Sequence, residues 1–221
     1  PLTKHAARVL EELGIQFDLA TTADPWPETE CIIYLGEQPT GPGILARLQA
    51  HVAKGGALLA MDHAIAGAEE LVPANVVPWE APKQAVVDNM GNIGHVSTVG
   101  CDTNAAGPAG DFIRMPIEFG GEDFPYLLST PARILQAAEK ANVLAWRHLP
   151  VSAAPPFAST VAHSPLIVHR GRVIYSSPNL FAEDAAVGSP QPAVMIAALL
   201  RRLIPDRLVE HDAGRRVAVH P

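Results

Sequence analysis

Cys31–Gly67, CIIYLGEQPTGPGILARLQAHVAKGGALLAMDHAIAG, decides the fold. Cys31–Leu35 is a short apolar run rich in β-branched and aromatic side chains, the pattern of a strand covered on both faces. From Gly43 to Lys54 the period changes. Ile44, Leu45, Leu48 and Val52 form one stripe of an amphipathic helix, with Gln49, His51 and Lys54 mostly off it. Gly55-Gly56 stops that helix, because glycine reaches left-handed φ without strain. Ala57–Met61 then reads as a second buried strand. Strand, helix, strand is a βαβ unit, the building block of a parallel α/β sheet.

In open α/β sheets, ligands bind beyond the carboxyl ends of the strands. Gly36-Glu37-Gln38 and Asp62-His63 are therefore the expected positions for chemistry, and Asp62, His63 and His163 are the candidate ligand-binding residues. The loop from Ala60 to Gly67 holds neither cysteine nor serine. No catalytic residue, cofactor or resident metal is expected of this chain.

Around this unit, Thr3–Leu13 carries Leu2, Ala6, Val9, Leu10 and Leu13 on one helical face with Gly14 past its end. Ile15–Leu19 alternates and predicts a strand. Asp24-Pro25-Trp26-Pro27 is a loop. Residues 68–131 are dense in proline and glycine and predict a loop-rich insertion, with short strands at Gln84–Val87 and His95–Val99. Ala132–Gln136 and Val143–His148 predict two strands turned around Glu139–Asn142. Leu166–His169 and Arg172–Ser176 predict a hairpin about Arg170-Gly171. Pro192–Ile204 is a helix, apolar over most of its circumference and closed by Pro205.

The 221 residues are 48% hydrophobic, enough for a packed core, and hold no apolar run of the roughly 18 residues that cross a bilayer. A formal charge of −7 excludes a nucleic-acid partner, since Arg201-Arg202 and Arg215-Arg216 are too small as basic clusters. No membrane partner is expected, and with no signal peptide before the first helix the expected location is cytoplasmic. Cys31 and Cys101 have neither metal nor redox spacing. The chain begins on a helix, without an initiator Met, and is expected to be an excised segment.

"LEELGIQFD" at Leu10–Asp18, "LARLQAHVAKGGALLA" at Leu45–Ala60, Pro156–Ser159 with His163-Ser164-Pro165, "GRVIYS" at Gly171–Ser176, Asn179-Leu180-Phe181 and "ALLRRLIP" at Ala198–Pro205 together resemble one family. This is the class I glutamine amidotransferase-like domain that follows the TIM barrel in glycoside hydrolases, as in the trimerisation domain of family 42 β-galactosidases. The resemblance implies a flavodoxin-like α/β fold, mostly parallel, with helices on both faces. The domain would span residues 1–207, with its first strand lying before Pro1, and residues 208–221 would open a following β module. Its implied partners are a TIM-barrel catalytic domain and other protomers in a homo-oligomer, the family's trimer being one such assembly, with carbohydrate met only indirectly. Its implied role is oligomerisation and active-site closure in a β-galactosidase-like enzyme.

The residues depart from the amidotransferase pattern where chemistry would sit. Asp62 or His63 stands in place of the nucleophilic cysteine, and Ser176-Ser177-Pro178-Asn179 in place of the late histidine and glutamate. Two other chemistries have candidate residues. Asp62, His63, His95, Asp102, His163 and His169 are ligand-capable but lack the spacing of H-E-x-x-H. Glu118, Glu122, Asp123, Glu183 and Asp184 are carboxylates of the glycosidase kind, expected in solvated loops and turns. Trp26, Trp79, Phe112, Phe119, Phe124, Tyr126, Trp146 and Phe157 suit either an interface or local core under the long loops. The alternative function is a free-standing hydrolase-like or sugar-binding protein using Asp62 and His63.

Overall fold

The computed structural model describes residues 2–21, 23, 25, 26, 28–36, 41–61, 71–77, 112–114, 126–127, 132, 134–150, 160–187 and 190–205. Helix α1 spans Leu2–Glu12. Its end is a left-handed glycine cap: Gly14, φ 70, donates to Glu11 O at 2.9 Å and Ile15 to Leu10 O at 2.9 Å. Strand β1 (Cys31–Tyr34), helix α2 (Pro42–Ala53) and strand β2 (Ala57–Met61) follow as expected. Pro42 stands at the start of α2, where its missing N–H has no intrahelical partner to lose. The helix closes as α1 does, with Gly55 at φ 93 donating to Val52 O and Gly56 to His51 O.

Strands β3 (Ala74–Val77), β4 (Phe112–Arg114), β5 (Tyr126–Leu127), β6 (Ile134–Ala137), β7 (Asn142–Pro150), β8 (Thr160–Arg170) and β9 (Val173–Ser176) come next, then helices α3 (Leu180–Val187) and α4 (Gln191–Leu203). Seven strands form one sheet in the order β1-β2-β9-β8-β7-β4-β5, and β3 pairs with β6 apart from it.

The fold is α/β, and its sheet is mixed. β1, β2 and β9 run parallel, whereas every pairing from β9 through β8, β7 and β4 to β5 is antiparallel. The parallel pairing expected of most of the sheet lies in its βαβ half. It ends at β8 because Gly171-Arg172 joins β8 to β9 in a two-residue loop, which can only reverse the chain. Gly171 has φ 60 and Arg172 does not, the pattern of a type II′ turn.

Helices cover one face and a helix with a ribbon the other. Ala57, Leu59 and Met61 pack with α1, α3 and α4, while Leu58 and Ala60 pack with Leu48 of α2 and with Ala74 and Leu135 of the β3–β6 ribbon. The β7–β8 ladder breaks this alternation. Its register passes from Val143↔Val168 to Ala145↔Ile167 and then Trp146↔Pro165, leaving Leu144 and Leu166 as extra residues. These bulges put Leu144 with Ala145, and Leu166 with Ile167, into the same cluster.

Three expectations are corrected. Ile15–Leu19 forms no strand; Ile15 and Phe17 pack on the first cluster, but the segment has no ladder among the described residues, and Leu19 is 66% exposed. The segments expected as a pair around Glu139–Asn142 separate, β6 joining β3 and β7 joining β8. Glu183 and Asp184 lie on α3 at 0% and 4% exposure instead of in a solvated turn, because α3 packs its flank on α1 and α4. The expected strands at 84–87 and 95–99 and the tail 208–221 lie outside the described residues.

The His51 ring crosses the exit of α2, its Nε2 3.0 Å from Ala57 O, and a β-carbon on Gly56 would run into that ring. Gly56→Ala is expected to lower stability by about 1–2 kcal/mol in urea unfolding, and by much less in a His51→Ala background, as coupled sites require. Additive penalties would contradict the contact.

Candidate functional site

The parallel strands end together at the carboxyl edge, where Met61 pairs with Ser176 and Asn179 Nδ2 donates to Leu35 O at 2.7 Å. Asn179 does two further things. Its Oδ1 accepts from the Phe181 and Ala182 N–H groups, both at 3.2 Å, capping α3. Its carbonyl accepts from Glu183 N at 2.9 Å. Ser176 Oγ donates to Pro178 O at 2.8 Å, and Ser177 N–H to Leu166 O at 2.8 Å. Ser176, Ser177 and Asn179 are all buried. Together these bonds make a polar clasp that ties β1, β8, β9 and α3 together. Sequence reasoning missed this cap, although an asparagine just before the apolar run Leu180-Phe181-Ala182 is a signal that could have found it; the bond to Leu35 has no such signal, because its partners are 144 residues apart.

Asp184 holds α3 to α1. Its Oδ2 lies 3.0 Å from His5 Nε2, and Arg8 Nη2 lies 3.3 Å from His5 Nδ1. With Nδ1 accepting from the always-charged guanidinium, the His5 proton sits on Nε2 and is donated to the carboxylate. This is a clamp between helices, and no local pattern in the sequence announces it.

Of the three candidate site residues, Asp62 and His63 lie outside the described residues, directly after Met61. His163 lies in β8. Arg147 pairs with Ser164 and His148 with Ala162, so His163 is the unpaired extra residue of a bulge. Since Ile167 pairs with Ser176, His163 lies four residues past that pairing, beyond the carboxyl end of β9. Among the other ligand-capable residues, His95, Asp102, Glu118, Glu122 and Asp123 fall outside the described residues. His169 is held elsewhere: its Nε2 lies 2.8 Å from Gly171 O, and Arg202 Nε donates to Nδ1 at 3.2 Å. Burial first, then the Arg202 charge, lowers its pKa against the pull of the Gly171 carbonyl. No group of three or more metal-binding side chains occurs among the described residues. Nor is any helix among them long and apolar enough to cross a membrane.

Cys31 is a half-buried thiol. Desolvation pushes its pKa up to about 12, the Arg172 charge and a Leu59 backbone bond opposing only in part. It is no nucleophile at neutral pH. Trp26 lies under the Arg47 guanidinium, 3.8 Å from ring centroid, and donates Nε1–H to Thr21 O at 3.0 Å. Trp146 is 40% exposed.

The sequence matches no family model and no curated protein. The fold matches parts of three solved enzymes. α-L-Fucosidase isoenzyme 2 from Paenibacillus thiaminolyticus aligns with a TM-score of 0.67 at 20% identity, over 94% of this chain and 30% of that one. A β-galactosidase from Rahnella sp. R3 aligns at 0.56 and 13%, over 93% and 27%. The exo-β-1,4-mannosidase Op5Man5 from Opitutaceae bacterium strain TAV5 aligns at 0.55 and 14%, over 92% and 31%. This chain thus spans about a third of the length of each, and what is shared is the fold.

Two outcomes test the site. Asn179→Ala removes the α3 cap and the Leu35 bond together, and is expected to cost about 2–3 kcal/mol in chemical denaturation; a loss under 0.5 kcal/mol would mean the clasp is not structural. For Cys31 the neutral thiol is favoured in the folded state. Its stabilising contribution is therefore complete below the ordinary thiol value of 9.0 and is lost as pH rises towards about 12. The stability of a Cys101→Ser protein should fall more between those pH values than that of the Cys31→Ala, Cys101→Ser variant; parallel curves would refute the burial.

Proposed function

We propose that this chain is a non-catalytic α/β module of a multidomain carbohydrate-active enzyme, a glycoside hydrolase of β-galactosidase-like type. It packs against a TIM-barrel catalytic domain, helps close that domain's active site and takes part in building a homo-oligomer. One observation carries the reading: the fold covers 92–94% of this chain but only 27–31% of three glycosidases that act on different sugars. A fold shared across fucosidase, β-galactosidase and mannosidase fits a common accessory module better than it fits any one sugar specificity.

The residues support this. The turn that holds the nucleophile in amidotransferases reads Asp62-His63-Ala64 here. The Ser176–Asn179 loop is occupied by structural hydrogen bonds.

Turnover of chromogenic β-galactosides and α-fucosides separates this reading from a free-standing hydrolase or sugar-binding protein using Asp62, His63 and His163. The chain alone is expected to be inert, and the longer polypeptide that contains it active. Turnover by the chain alone, abolished by His63→Ala, would overturn the proposal. Light scattering of the longer polypeptide is expected to give an oligomer; a strict monomer would remove the assembly role.

A further inference from the structure

The end of the sheet opposite the carboxyl edge gathers cations that the candidate site leaves out. Glu30 O accepts from Ala57 N–H at 2.8 Å and Arg172 O from Leu58 N–H at 2.9 Å, so β1, β2 and β9 begin together at an amino edge. The β8–β9 turn places Arg170 and Arg172 there, Arg170 pairing with Val173. Asn142 pairs with His169, which brings the β6–β7 turn, with Glu139 and Lys140, alongside. The last turn of α4 adds Arg201 and Arg202, because Arg202 Nε donates to His169 Nδ1 at 3.2 Å. Lys140, Arg172, Arg201 and Arg202 are exposed, and Arg170 is half-buried.

This cluster is built into the fold. His169 is anchored through Nε2, 2.8 Å from Gly171 O, so its other nitrogen holds the Arg202 guanidinium in place. Lys140 has φ 63, the one positive φ outside glycine among the described residues, in a turn that glycine or asparagine would enter without strain. Five cations beside Glu139 repel one another, and an anionic surface spanning them relieves that repulsion.

The charge of the whole chain says which surface fits. It has 16 Lys and Arg against 23 Asp and Glu, and setting aside the five cations and Glu139 leaves 11 against 22. The cluster is therefore a basic island on an acidic molecule. Glu30, on the same edge, stands two strands from Arg172, about 10 Å away. A nucleic acid reaching the island would be repelled by the excess of acid around it. Two islands face to face would repel as well, which rules out a two-fold pairing of this surface with itself. The island of one copy against the acidic remainder of another attracts, and that contact is heterologous, the kind that closes into rings.

Resting on the reading that this chain helps to build a homo-oligomer, we propose that Lys140, Arg170, Arg172, Arg201 and Arg202 form the cationic half of its interface and dock on a carboxylate-rich surface of a second copy. Two-pronged guanidinium–carboxylate pairs give the contact its register.

Sedimentation velocity of the 221-residue chain tests this. The chain should self-associate as concentration rises at about 50 mM NaCl, and about tenfold or more weakly at about 500 mM. Arg172→Glu with Arg201→Glu should weaken association about tenfold or more with the urea midpoint unchanged, whereas lysine at both positions should keep most of it. Lys140→Asn should hold or raise the urea midpoint, since asparagine tolerates the left-handed φ, and still weaken association, which a merely structural lysine would not do. The glutamate variant keeps its acidic surface, so mixing it with the unaltered chain should cap assemblies and lower their mean mass. A chain that stays monomeric at every concentration in low salt overturns the proposal. So does association that the glutamate variant leaves unchanged, or that salt strengthens. An oligomer of the longer polypeptide indifferent to these substitutions keeps the assembly role and overturns this surface alone, while turnover by the isolated chain fails the module reading instead.

Discussion

β2 is buried at all five positions, from Ala57 to Met61, and the remaining structure answers that burial. A strand sealed on both faces must satisfy its amides within the sheet and its side chains within two layers. The ladders to β1 and β9 meet the first need. The second is met by α1, α3 and α4 on one face, and by α2 with the β3–β6 ribbon on the other. Removing either layer would open fully apolar residues to water at about 25 cal/mol per Å².

The change of strand direction at β8 widens this centre. A two-residue turn reverses the chain, and the long β7–β8 hairpin then continues the sheet with register breaks. Those breaks place consecutive residues, Leu144 with Ala145 and Leu166 with Ile167, on the same face, which no flat alternating strand could do. The added strands extend a βαβ core into a mixed sheet.

At the carboxyl edge, where such sheets bind ligands, the polar side chains that are described have structural work. Asn179 caps one helix and holds the end of β1, Ser176 closes its own loop, and Asp184 with His5 clamps α3 to α1. A buried carboxylate against a half-buried imidazole could be mistaken for catalytic machinery. Here Arg8 on the far ring nitrogen fixes the proton and leaves the pair a crosslink between helices.

The sequence alone determined what depends on neighbours a few residues away. The stripe of α2, the caps at Gly14 and Gly55, the apolar run of β2, the Gly171 hairpin and the length of α4 were legible because each is set by local periodicity or by a backbone angle only glycine tolerates. So was the absence of cysteine and serine from residues 60–67. Tertiary structure decided the rest. Alternation at Ile15–Leu19 is the pattern of a strand, but a strand exists only where another strand supplies the opposite half of each hydrogen bond. Glu183 and Asp184 read as solvated acids, since nothing in their own neighbourhood of sequence announces α1 packing over them. The bond from Asn179 to Leu35 and the clamp from Asp184 to His5 join residues 144 and 179 positions apart, and contacts at that separation leave no periodic trace in the chain.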